Sequence, residues 1–134
     1  MNDKIEHGQQ AVEHLLKNLG KPVVLGKTPY ANLRYIVDII AASPFKDTPE
    51  MRGLYLSEFV EGIIATGVGD GEPRTQSQLC WAVLKMRYID HEQIGQIAAK
   101  LSISPRAVER YRYDGVVSLE RKLLGYFPEP DIRR

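Results

Sequence analysis

The chain has 134 residues, with 18 Lys/Arg against 17 Asp/Glu and a formal net charge of +1. That length suits one or two small domains and buries roughly two thirds of the unfolded chain's surface. A net charge so near zero is not by itself a nucleic-acid signature. The single cysteine, Cys80, excludes an intramolecular disulfide, and without a partner at metal-ligand spacing it reads as a small core residue. No apolar run resembles a signal peptide or reaches the length of a bilayer span, so the expected location is cytoplasmic, with no membrane partner.

Helix signals recur along the chain and strand signals hardly appear. From about Lys4 to Leu19, Ile5, Val12, Leu15, Leu16 and Leu19 share one side, and Gly20 followed by Pro22 makes a stop. His7 and His14, seven apart, read as solvated positions of this amphipathic helix and not as a metal pair. Val23-Val24-Leu25 is too short to assign firmly and reads as a packed loop, with a short strand as the alternative.

Thr28-Pro29 places a cap before a first-position proline, which predicts a helix from Pro29 to about Ala42 with Leu33, Ile36, Val37, Ile39 and Ile40 inside. Thr48-Pro49-Glu50 repeats the signal for a helix to about Ala65. Its apolar face carries Met51, Leu54, Tyr55, Phe59, Ile63 and Ile64. The segment from Thr66 to Pro73 alternates glycine with other residues and ends in proline, the strongest break in the chain. No lysine follows in the Walker position, no strand precedes, and Asp70 and Glu72 would repel phosphate, so it reads as a linker. The predicted organisation is an N-terminal helical interaction or oligomerisation domain (1–66), a linker (67–74) and a C-terminal helical domain (75–134).

The C-terminal part opens on Thr75-Gln76-Ser77-Gln78, which has capping-box spacing, ahead of a helix through Leu79, Val83, Leu84 and Met86. A helical pattern from His91 follows, with Ile94, Ile97, Ala98 and Leu101 on one face and Asp90 as its expected cap. Ser102-Ile103-Ser104 then breaks the chain, Ser104 caps a new helix and Pro105 takes its first position. Val108, Gly115, Leu119 and Leu123 recur at the helical period, with Tyr111 or Arg112 between them, while Arg106, Glu109, Arg110 and Tyr113 fall mostly elsewhere. Residues 79–134 hold ten Lys/Arg against seven Asp/Glu, so the basic surplus lies with this unit.

A helix, a tight turn and a second helix whose first turns carry arginine is the pattern of a helix-turn-helix DNA reader. A guanidinium there bonds a guanine edge or a phosphate, and a carboxylate at position 109 accepts from cytosine or orients a neighbouring arginine.

Through Met86-Arg87-Tyr88-Ile89, the run Ile94 to Ser104, Val108-Glu109-Arg110-Tyr111 and Leu119 to Leu123, the last third of the chain resembles region 4 of the sigma-70 factors. It is similar there to the region-4-like ends of small phage and prophage transcription regulators, including the ArpU and RinA groups of late-gene activators. The resemblance implies an all-α transcription regulator reading double-stranded DNA through Arg106, Glu109 and Arg110. Ser104, Arg112 and Tyr113 complete the candidate DNA-binding set. Pro105 stands where that family often has a contact residue, and Gly115 interrupts the final helix at about 1 kcal/mol relative to alanine.

The N-terminal helices are candidates for a homodimer interface or for contact with RNA polymerase. Two rival readings use the same elements: the DNA-recognition subunit of a phage packaging terminase, and a protein-interaction module whose sigma-like end binds protein. No nucleophile–base pair stands out, since Ser102, Ser104 and Asp114 lack a convincing base, so neither an enzymatic activity nor a cofactor is expected.

Overall fold

The computed structural model describes residues 2–125, with side chains from Gly8 onward. The chain is all-helical, and no strand occurs among the described residues. In chain order the helices are α1 (Asn2–Lys17), α2 (Pro22–Leu25), α3 (Arg34–Ala42), α4 (Pro49–Val68), α5 (Gln76–Leu84), α6 (Ile94–Leu101) and α7 (Pro105–Leu124). A 3₁₀ turn (Pro29–Asn32) precedes α3, and a π-helical turn (Lys85–Ile89) continues α5.

The start signals act as the sequence predicts at α4 and α5. Thr48 Oγ1 accepts the Met51 N–H at 3.1 Å, and Pro49 takes the first position of α4. Thr75 Oγ1 accepts the Gln78 N–H at 3.1 Å while Gln78 Oε1 accepts the Thr75 N–H at 3.1 Å, satisfying two helix-end donors reciprocally. Gln78 Nε2 also donates to the Val68 carbonyl at 3.3 Å, so the same residue closes α4 onto α5.

Two segments differ from expectation. Val23-Val24-Leu25 belongs to a helical turn, neither loop nor strand: the Leu25 N–H donates to the Lys21 carbonyl at 3.0 Å and the Gly26 N–H to the Pro22 carbonyl at 2.9 Å. Pro22 favours this outcome by fixing its own φ in the helical range, and Leu25 is fully buried. The single helix expected over 29–42 is split, because Leu33 is extended at φ −58°, ψ 144° and starts α3 afresh. At Thr28 the hydroxyl donates to the Leu25 carbonyl at 2.7 Å and does not cap. Arg52 secures the split. Its Nη1 donates to the Ala31 carbonyl and to Asn32 Oδ1, both at 3.0 Å, and its other nitrogens grip Asp47 at 2.8 and 2.9 Å. The Arg52 hydrogen bond holds the Asp47 carboxyl below the usual carboxylate range.

The apolar residues form two clusters. The larger draws Val12, Leu15 and Leu16 from α1, Leu56, Val60 and Ile64 from α4, Trp81 and Leu84 from α5, and Val116, Leu119 and Leu123 from α7. The smaller joins Val83, Ile97, Ala98 and Val108. Gly67 and Val68, expected in the linker, belong to the last turn of α4, so the connection to α5 is residues 69–75, and the larger cluster has members on both sides of it. Gly67 lies directly on the Trp81 ring, where an added Cβ would stand 2.3 Å from Cγ. Gly115 is likewise a contact position, its Cβ site 2.8 Å from Leu84 Cγ and 3.0 Å from the Cys80 carbonyl oxygen. Its helix-propensity cost is the condition for α5 and α7 to approach.

Tyr30 gives the larger cluster a measurable alkaline limit. The ring is 4% exposed and its hydroxyl donates to the Gly8 carbonyl at 3.5 Å. Burial, assisted by the Glu120 carboxylate, pushes its pKa from 10.0 up to about 12. Because the folded value lies above the unfolded one, this stabilisation is complete below about pH 10 and is lost as pH rises through about 12. The loss amounts to about 3 kcal/mol, two pKa units at about 1.4 kcal/mol each. Tyr30→Phe should reduce the fall in urea stability across that interval, and an unchanged slope would contradict the assignment.

Candidate nucleic-acid interface

The candidate interface is built on α6, the turn at 102–104 and α7. The π-helical turn ahead of α6 closes with the Asp90 N–H on the Lys85 carbonyl at 2.9 Å. His91 then adopts a left-handed conformation (φ 58°), which excludes a helix beginning there. Thus α6 starts at Ile94, three residues later than predicted. Its cap is Gln93 and not Asp90: the Gln93 N–H donates to Gln96 Oε1 at 2.8 Å, while Asp90 pairs with Lys85 Nζ at 3.0 Å. Glu92 pairs with Lys100 Nζ at 2.6 Å, tying the approach segment to the far end of α6. Ile97 and Ala98 are buried, and half-buried Ile94 and Leu101 flank them in the smaller cluster, as the spacing requires.

The turn ends α6 through two hydrogen bonds. Ser102 is left-handed (φ 59°, ψ 44°), the Ile103 N–H reaches back to the Ala98 carbonyl at 3.0 Å, and the Ser102 N–H reaches the Ala99 carbonyl at 3.4 Å. This is a Schellman closure, and Ile103 supplies its apolar contact by packing on the smaller cluster. Ser104 Oγ then accepts the Ala107 N–H at 3.0 Å, and Pro105 begins α7. The hydroxyl of Ser104 serves as a cap.

The six candidate residues separate by face. At about 100° per residue, Arg106, Arg110 and Tyr113 lie within about 60° of one another on the side opposite fully buried Val108. All three are exposed. Neither Arg106 nor Arg110 pairs with a carboxylate among the described residues; the Arg110 guanidinium instead lies over its neighbour Tyr111, 5.1 Å from the ring centre. Tyr111 itself packs partly into the smaller cluster. The Tyr113 hydroxyl donates to Gln9 Oε1 of α1 at 3.4 Å, leaving much of its ring in solvent.

Arg112 projects about 120° away from Arg106 and is enclosed by partners. Its Nε donates to Glu109 Oε1 at 2.9 Å, and its Nη1 to Glu13 Oε2 at 3.1 Å and to the Tyr88 hydroxyl at 3.2 Å. Burial by itself would lower its pKa, but the bonds to Glu109, Glu13 and Tyr88 outweigh it and raise the value above the ordinary arginine range. Arg112 therefore joins α7 to α1 and to the π-helical turn, and it orients Glu109. The two-residue offset from Arg110 carries this distinction in the sequence; the partner Glu13, 99 residues away, has no local signal.

Burial pushes the Cys80 thiol up, with Asp114 adding to the effect, consistent with a packed and unreactive side chain. Among the described residues no cluster of three or more His, Cys, Asp or Glu could hold a metal ion; the His7 side chain lies outside them. No described helix is long and apolar enough to cross a membrane. No protein-family model, curated protein or solved structure matches this chain.

Proposed function

We propose that this protein is a sequence-specific double-stranded-DNA-binding transcription regulator of the phage or prophage kind, reading the major groove with the first turns of α7. The observation that carries the reading is that Arg106 and Arg110 pair with no carboxylate among the described residues. Two guanidinium groups one turn apart stand exposed at the start of a capped helix, following a tight turn and a packed scaffold helix. Arginines held by internal carboxylates would have to break those pairs to reach DNA, and these two do not. The positive end of α7 adds a favourable field for phosphate.

Roles within the set follow from engagement. Arg106 and Arg110 are the base or phosphate contacts, Glu109 is an oriented acceptor held by Arg112, and Tyr113 is a flanking contact at the limit of the reading face. Ser104 fixes the helix start. The N-terminal helices connect the reader to the transcription machinery or to a second copy, and their shared apolar cluster with α7 supports a fixed attachment.

Arg106→Ala/Arg110→Ala should melt like the parent, because both side chains are exposed, and bind selected duplex DNA at least about tenfold more weakly at equal salt, the factor equivalent to 1.4 kcal/mol. Loss of one base contact would relax preference at one position, whereas loss of a phosphate contact would lower affinity evenly. Equal affinities for parent and variant across a salt series would remove α7 as the reader.

A further inference from the structure

Two shallow depressions lie where α1 meets the π-helical turn. The first, about 250 Å³, is lined by Glu13, Lys17, Arg87, Tyr88, Glu109 and Arg112. The second, about 190 Å³, shares Lys17, Arg87 and Tyr88 and extends to His91. Glu109 sits one turn beyond Arg106 on α7 and borders the first depression, so the rim of that depression adjoins the helix face that carries Arg106 and Arg110.

The charges do not cancel. Glu13 and Glu109 are both held by Arg112, at 3.1 and 2.9 Å. Lys17, in the last turn of α1, has no carboxylate partner among the described residues although Glu13 is one turn away. Arg87 pairs with no carboxylate among the described residues and donates to the Glu92 backbone carbonyl at 3.4 Å. Arg112 offsets one of these two negative charges, so with Lys17 and Arg87 the first depression carries three cations against two carboxylates, a net +1; Lys17 is exposed and Arg87 half-buried.

We infer that Lys17 and Arg87 form a second contact site for the DNA backbone, taking phosphates that flank the segment read by Arg106 and Arg110. The inference rests on the proposed DNA reading and extends its footprint to α1. A phosphodiester fits because it is a solvated monoanion with two free oxygens, one for the point charge of lysine and one for the planar fork of arginine. The site positions the protein and carries no base information.

The test is fluorescence anisotropy of a short mixed-sequence duplex across a range of salt, comparing the full-length parent, Arg106→Ala/Arg110→Ala and Lys17→Gln/Arg87→Gln. Each phosphate contact contributes about 0.9 to the slope of log affinity against log salt, so the Lys17/Arg87 variant should lose about two from that slope. Its ranking of competitor sequences should stay unchanged. A parental slope in this variant, alongside weakened binding by Arg106→Ala/Arg110→Ala, would overturn the second site and leave the reading intact. Absence of salt-dependent binding by the parent would overturn both. Because Arg87 also holds the Glu92 carbonyl, Lys17→Glu provides an independent arm: its exposed head group permits folding, and it should bind more weakly than Lys17→Gln. Equal binding by these two would reject the site.

Discussion

Val108→Asp is expected to destabilise the protein by about 3–5 kcal/mol, because it places a carboxylate in a fully buried apolar cluster. Val108 is fully buried among Val83, Ile97 and Ala98, the smaller cluster that holds α6 against α7. That cost is a large fraction of the roughly 5–15 kcal/mol by which a domain is stable. Urea unfolding followed by circular dichroism should show the midpoint moving far down. Val108→Ala, which removes packing but adds no charge, should cost clearly less. An unchanged midpoint for the aspartate variant would mean that α6 and α7 do not meet through this cluster.

The second large effect belongs to a pair of reciprocal backbone contacts between α2 and α4. A Cβ on Gly53 would stand 1.8 Å from the Pro22 carbonyl oxygen, and one on Gly26 would stand 1.7 Å from the Pro49 carbonyl oxygen. Each glycine accepts the backbone of the proline that opens the other's helical segment. Relief requires moving main chain, so Gly53→Ala and Gly26→Ala should each cost about 3 kcal/mol, at the upper end of overpacking effects. Gly62 in the same helix α4 provides the contrast, having nothing within 4 Å of its Cβ position. There Gly→Ala should raise stability by up to about 1 kcal/mol from helix propensity alone. Thermal melts of the three single variants check the opposite signs; a Gly53→Ala protein as stable as the parent would rule out the close approach.

Local chemistry made several elements legible in the sequence. Thr48, Thr75 and Ser104 each announce a helix start through a side-chain oxygen that reaches a nearby N–H, and all three perform that role. The spacing of Ile94, Ile97, Ala98 and Leu101 likewise selects the face that packs. Thr28 carries the same signal, yet its hydroxyl is drawn to the Leu25 carbonyl and Arg52, from a later helix, secures the break after Asn32. The start of α6 was displaced by a left-handed His91, a backbone state that histidine signals weakly. Within the candidate site, the common face of Arg106, Arg110 and Tyr113 follows from helical periodicity. The engagement of Arg112 by Glu13 does not, because it depends on α1 meeting α7 in three dimensions.

The long helix α7 belongs to both apolar clusters, giving Val108 to the smaller and Val116, Leu119 and Leu123 to the larger. It therefore acts as a shaft whose angular phase is set at both ends. One residue inserted between Tyr111 and Gly115 would turn the first half by about 100° relative to the second, swinging Arg106 and Arg110 around the helix axis while leaving every side chain chemically intact. A residue inserted in the loop at 69–73 would rotate nothing. The length of that connection can therefore change without turning any helix, whereas the residue count along α7 sets the direction in which Arg106 and Arg110 project.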